Sequence, residues 1–271
     1  MEKIIAYTKE LEDPNNPLLG PTLKGLYFFG LWQTGSRFRT TVSNVIHFST
    51  FLFVISEFMD LYFIRHDTSK VLNNTSMTIL SFICLTKCYS YVIWQGEWRE
   101  LVKEISEEEI IQINKDDPRI RKHIKNYTKY IRVVTYMYWV MVFATNFLLI
   151  ISPLLKYIYQ EEIRNGTEPL PPIICSWFPF DNTKMPGYLG STIVHVFMGS
   201  QGSGVLATYD MAAVAIMTYL KGQMIILREK CATLFEDVTS TQVVLDRIKE
   251  CHRHHNALLN VDLISLKVIC D

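Results

Sequence analysis

Cys251, His252, His254 and His255 stand in one short run, Cys-His-Arg-His-His. On a helix, Cys251 and His255 lie four residues apart and share a face, which is half of a zinc site. No second ligand pair stands nearby, so the run reads as a solvated or subunit-contact face, and no metal is expected. Glu107, Glu108 and Glu109 form an acidic triplet, which reads most simply as a solvated helix face. There is no glycine-rich phosphate loop, no Ser-His-Asp order and no pair of carboxylates set to share a proton. The sequence therefore predicts neither an enzyme nor a bound cofactor. Lys and Arg together number 27, as do Asp and Glu. A chain of zero net charge lacks the concentrated basic face that nucleic acid requires.

The elements that must position any site are set by hydropathy. Hydrophobic residues make up 49% of the 271, and they gather in long blocks separated by charged ones, the pattern of a membrane protein. A span takes roughly 20 residues. Four segments meet this: 42–64, 76–94, 133–155 and 188–220. The last is about 50 Å long as a helix at ~1.5 Å per residue, so it must tilt or project beyond the bilayer. The stretch 18–32 is apolar but broken by Gly20, Pro21, Gly25 and Gly30, and reads as an interfacial or re-entrant part of an N-terminal region, 1–41. Charged linkers with helical spacing occupy 95–132 and 221–271. In the first, Asp116-Asp117-Pro118 is a helix start. In the second, Ser240 or Thr241 could cap a helix.

Lys and Arg concentrate in 1–41, 95–132 and 221–260, which places those segments and the N-terminus in the cytoplasm. The segment 156–187 then lies outside, with the acceptor Asn165 in an Asn-Gly-Thr sequon. Asn73 and Asn74 fall on the same side but close to the membrane, and Asn126 falls inside and is expected bare. Cys84 and Cys88 read as small hydrophobes, and Cys175 is placed outside the cell.

Several motifs then occur in a telling order. Trp177-Phe178-Pro179-Phe180-Asp181 follows a Leu-Pro in the outer segment, and a tyrosine opens the fourth span. Asp210 sits late in that span, and Gln223 to Leu227 form Gln-x-x-x-Leu beyond it. Cys251 to Asn256 precede Ala-Leu-Leu-Asn, and Leu-Lys-Gly-Leu-Tyr-Phe-Phe-Gly-Leu-Trp stands near the start. Together these resemble the insect odorant receptor family across nearly the whole chain to about Asn260. The resemblance implies an all-α integral membrane bundle of seven helices with a cytoplasmic N-terminus, of which this sequence carries four. On that comparison the chain is C-terminally truncated, lacking the last, pore-lining helix.

The resemblance also implies a function. It would be the odorant-binding part of a ligand-gated, non-selective cation channel in the plasma membrane of olfactory neurons. Its expected partners are a small volatile hydrophobic odorant, membrane lipid and a co-receptor subunit in a hetero-tetramer. A gustatory receptor of the same superfamily, or a non-signalling membrane fragment, are the alternatives. Odorant pockets take apolar walls, aromatic shape and a few polar groups. The outer halves of the spans offer Met77, Leu80 and Phe82; Phe143, Phe147 and Ile151; and His195, Phe197 and Met198. Each would line the pocket or simply pack on lipid or another helix. His195, the ionisable group of that outer half, would donate to an odorant carbonyl or bond a neighbouring helix.

Overall fold

The computed structural model describes residues 13–33, 35–115, 117–165, 167–236 and 240–270. Asp116 lies outside them, and the side chain of Asn73 is likewise outside the described set. The described residues form helices joined by turns and one long loop, between α6 and α7. The helices are α1 (Gly20–Phe28), α2 (Arg37–Phe63), α3 (Thr68–Ile93), α4 (Gln95–Asn114), α5 (Pro118–Tyr159), α6 (Glu161–Arg164), α7 (Gly187–Ala232) and α8 (Thr241–Cys270). Four of them, α2, α3, α5 and α7, are long and apolar enough to cross a membrane. The 42 residues of α5 and the 46 of α7 would reach over 60 Å at ~1.5 Å each, twice a hydrocarbon core of about 30 Å. Both therefore run on past the bilayer. Only 6% of the apolar window of α5 is buried, against 44% for α7, so α7 is the enclosed helix and α5 presents its apolar side outward.

Local chemistry sets several boundaries. Ser36 caps α2 by accepting from the Arg39 N–H at 3.4 Å. The Asp117 carboxylate accepts from the Arg119 N–H at 2.8 Å, and Pro118, which needs no partner for a missing N–H, opens α5. The sequence stretch 18–32 becomes a short helix closed by a glycine. At the end of α1, Leu31 N–H donates to Leu26 O at 2.9 Å and Gly30 N–H to Tyr27 O at 3.3 Å. This is the six-to-one and five-to-two pairing that requires a left-handed residue. Gly30 supplies it with φ +76. A Cβ there would lie 2.6 Å from Ser43 Oγ.

The chain divides into two compact units, 1–25 with 90–137 and 209–271, and 26–89 with 138–208. In the second unit the turn after α1 is clasped from three helices. His47 on α2 bonds Gly30 O at 3.1 Å through Nε2 and meets the Cys88 thiol of α3 at 3.2 Å through Nδ1. Gln201 on α7 donates to Phe29 O at 3.0 Å. Cys88 is thus buried, as a small hydrophobe would be, but it also carries a hydrogen bond.

The first unit has an aromatic centre. Trp98 stacks on Tyr91 with ring centroids 4.7 Å apart, and Tyr209 meets both edge-on. Around it lies a buried polar network that the sequence did not announce. Glu108 and Glu109 are buried, and Glu109 is 0% exposed; the acidic triplet is not a solvated face. Its register on α4 turns two of the three acids inward, where donors await them. Glu109 accepts from Leu18 N–H and Tyr127 OH, each at 3.0 Å. Arg132 donates to the carbonyls of Pro17 and Leu18. His254 is also buried, not solvated as the Cys-His-Arg-His-His run suggested. Its Nε2 lies 3.0 Å from Gln223 Oε1, which also accepts from Gln112 at 2.9 Å. Burial and the nearby Lys230 push its imidazole down to about 4, so it sits neutral.

Glu109 carries a pH dependence. Burial pushes its carboxyl up from 4.5 to about 7, against the opposing pull of Tyr127, the Leu18 N–H and Arg132. The folded state then binds this proton more tightly than the unfolded state. The stabilisation is complete below pH 4.5 and is lost as pH rises through 7. At about 1.4 kcal/mol per unit, this amounts to roughly 3 kcal/mol. In detergent-solubilised protein, the melting temperature should fall between pH 5 and 8, and Glu109→Gln should flatten that fall. Parallel curves for the two proteins would show that Glu109 does not titrate in that window.

Candidate ligand-binding site

A cavity of about 520 Å³ opens within the second unit. Its walls come from α2 (Thr50, Phe53, Val54), α3 (Met77, Leu80, Ser81, Cys84), α5 (Met141, Val142, Thr145, Asn146, Leu148, Leu149) and α7 (Met198, Gly199, Gly202, Ser203, Leu206). Ile174, from the loop after α6, completes the lining. The spacing on α3 is i, i+3, i+4 and i+7, one helical face. On α7, Gly199 and Gly202 occupy the corresponding face and carry no side chain into the space.

The few polar groups in the wall are already engaged. Ser81 donates to Glu57 Oε1 at 3.0 Å, Thr145 to Met141 O at 2.9 Å, and Ser203 to Gly199 O at 2.7 Å. Asn146 reaches Ser200 Oγ at 3.4 Å. Glu57 lies behind Ser81 at 0% exposure, and among the described residues its Oε2 has no hydrogen-bond partner. The chamber therefore offers apolar contact first and only spare hydroxyl or amide capacity second. That matches a ligand of mostly hydrocarbon surface with one or two polar atoms.

The loop after α6 is tied down over this unit. Trp177 N–H donates to Ser56 O at 3.0 Å. Ser176 Oγ and His195 Nε2 lie 2.7 Å apart, and the His195 ring meets Phe53 and Phe178 edge-on. Among the described residues His195 Nδ1 is buried without a partner. Of the two roles open to His195, the structure shows a bond to a neighbouring segment, through Ser176.

Met77, Leu80 and Met198 come together in the cavity wall. The other residues singled out by sequence do not line it. Phe82 is exposed and meets Phe58 edge-on at 6.1 Å, and Phe143 stacks on Phe29 at 6.4 Å. Phe147 is 60% exposed, Phe197 is exposed, and Ile151 is half-buried. Asn165 is exposed at the end of α6. The lining residues that sequence reasoning missed include the α2 face, the α5 face of Met141, Thr145, Asn146 and Leu149, Ile174, and Gly199 and Gly202 of the Gly-Ser-Gln-Gly-Ser-Gly run, 199–204. That glycine-rich run inside a span was the available signal, because small residues mark where a helix leaves room.

Four helices long and apolar enough to span a membrane, walling an apolar chamber, define a multi-span helical membrane protein. The sequence comparison gives the family. The 7tm Odorant receptor family matches residues 67–264, and the chain belongs to that family; it is a receptor chain and not an enzyme. The fold agrees with the olfactory receptor OR5 of the insect Machilis hrabei. Against OR5 in complex with eugenol the TM-score is 0.70 at 18% identity, covering 95% of this chain and 68% of that one. Against a second structure of OR5 it is 0.60 at 16% identity, covering 91% of this chain and 68% of that one. No curated protein matches the sequence.

Proposed function

We propose that this chain is an odorant receptor subunit of the plasma membrane, the odorant-binding part of a ligand-gated, non-selective cation channel in olfactory neurons that it forms with a co-receptor subunit. The observation that carries the odorant-binding role is the apolar chamber between α2, α3, α5 and α7. A volatile that buries ~250 Å² of apolar surface there gains roughly 6 kcal/mol before the cost of association. Reversible binding no tighter than about 40 μM follows, as suits a sensor that must release its ligand. The Lys and Arg distribution supports a cytoplasmic N-terminus and an outer loop 156–187 carrying Asn165.

Eugenol, the ligand in the OR5 complex, is a compact phenol with one aromatic ring, and it serves as a first probe beside aliphatic alcohols and esters. The chain in lipid nanodiscs should bind members of this panel saturably, above the partition into empty nanodiscs. Uptake that stays linear with concentration and equals that of the lipid alone would contradict the proposal.

A further inference from the structure

Each of the four helices around the chamber contributes one hydroxyl to its wall: Thr50 from α2, Ser81 from α3, Thr145 from α5 and Ser203 from α7. A hydroxyl has one proton to donate and two lone pairs that accept. Three of these protons are committed to the hydroxyl's own helix, each to the carbonyl four residues back. Thr50 donates to Ile46 O at 3.0 Å, Thr145 to Met141 O at 2.9 Å and Ser203 to Gly199 O at 2.7 Å. A carbonyl oxygen only accepts, so the direction of these bonds is fixed. Met198 Sδ, 3.9 Å from the Thr50 hydroxyl, is likewise an acceptor. The fourth proton, on Ser81, goes to Glu57 Oε1 at 3.0 Å. What the four hydroxyls have left for a guest is lone pairs. Among the described lining residues the side-chain donors are the Asn146 amide, one N–H of which reaches Ser200 Oγ at 3.4 Å, and the weak thiol of Cys84. The Asn146 amide also brings a further acceptor, its own carbonyl oxygen.

We infer that this chamber selects hydrogen-bond donors, so that an alcohol or a phenol binds more tightly than a ketone, ester or ether of similar skeleton. The inference rests on the proposed odorant-binding role and names the ligand class for it. An alcohol brings its own proton to a wall of lone pairs, and it can still accept from Asn146. A ketone brings only another acceptor. Away from Asn146 it gives up its bonds to water and gains none in return. A site whose polar groups are set to bond a hydroxyl discriminates against the analogue that lacks the proton. Each wall hydroxyl already holds one bond, so none is left wholly unpaired by a ketone. The discrimination is then that of one ordinary hydrogen bond, about 2- to 12-fold in affinity.

The test uses the full chain in nanodiscs and two matched pairs, 2-heptanol with 2-heptanone and 1-phenylethanol with acetophenone. Each affinity is divided by the compound's own partition into empty nanodiscs, which removes differences in oiliness. The alcohol of each pair should bind about 2- to 12-fold tighter. At least one of Thr50→Val, Ser81→Ala, Thr145→Val and Ser203→Ala should bring that ratio down toward one. Asn146→Leu, which removes the amide donor, should push it up. In Thr50→Val, Thr145→Val and Ser203→Ala the lost bond went to a carbonyl of the same helix, so these variants report on the wall and not on folding. Saturable binding in which the ketones match or exceed the alcohols would overturn the donor preference and leave the odorant-binding role standing. A preference that all four hydroxyl variants leave unchanged would overturn its assignment to this wall. Absence of saturable binding for every compound would overturn the odorant-binding role itself, and the inference with it.

Discussion

Gly202→Phe should reduce volatile binding about 5- to 150-fold without unfolding the protein. A Cβ at Gly202 meets only the Cys84 Sγ, at 4.0 Å, an ordinary contact. The backbone of α7 therefore accepts a Cβ there, and a ring carried on it extends toward the cavity that Gly202 lines. A ligand must then compete with a covalently held occupant, at the 1–3 kcal/mol typical of overpacking, which is the fold-change stated. Gly202→Ala should bind nearly as the parent does, since it adds a methyl at van der Waals distance. Gly204 is the contrasting position. A Cβ there would sit 1.9 Å from the Phe29 ring, so its substitution disturbs the turn after α1 and reports on folding, not on ligand volume. Binding isotherms of Gly202→Phe and Gly202→Ala in nanodiscs, with melting curves beside them, check the pair. Equal affinity for both would remove the chamber from the account.

Trp98→Ala should cost about 3–5 kcal/mol, the usual range for deleting a large buried aromatic. Trp98 is 1% exposed, stacks on Tyr91 and is met edge-on by Tyr209. Its loss leaves a cavity at the centre of the first unit and strips two rings of their contacts. At ~2–4 °C per kcal/mol for a chain of this size, the melting temperature should drop by about 6–20 °C. Trp177→Ala, at a partly exposed aromatic of the loop between α6 and α7, should shift it much less. Equal shifts for the two variants in a thermal scan would mean that the aromatic centre does not carry the stability of its unit.

What was legible in the sequence follows from physical scale. A membrane span is a property of some 20 consecutive residues, so α2, α3, α5 and α7 show through hydropathy. The family resemblance rested on ordered motifs spread along the chain, and those too survive in one dimension. The cavity wall is a property of phase, and the phase of a uniformly apolar helix leaves little trace. On α5, Phe143 and Phe147 look like pocket aromatics, yet Thr145, Asn146 and Leu149 line the chamber. Large rings drew the eye, whereas the space itself was made by Gly199, Gly202 and Ser203. The buried network was hidden for a different reason. Glu109 is identical in type to its solvated neighbour Glu107, and only the long-range partners Leu18 and Tyr127 distinguish it. His254 differs from the exposed His252 and His255 in the same way, through Gln223.

The central claim is that the chamber of the second unit is the odorant site, and photolabelling tests it most directly. An eugenol analogue carrying a small diazirine, irradiated with the full chain in nanodiscs, should label residues of the chamber wall such as Leu80, Thr145 and Met198. Excess eugenol should suppress that labelling, and Gly202→Phe should remove it. Competed labelling confined to the outward side of α5, at residues such as Val140 and Phe147, with the chamber wall unlabelled, would contradict the account.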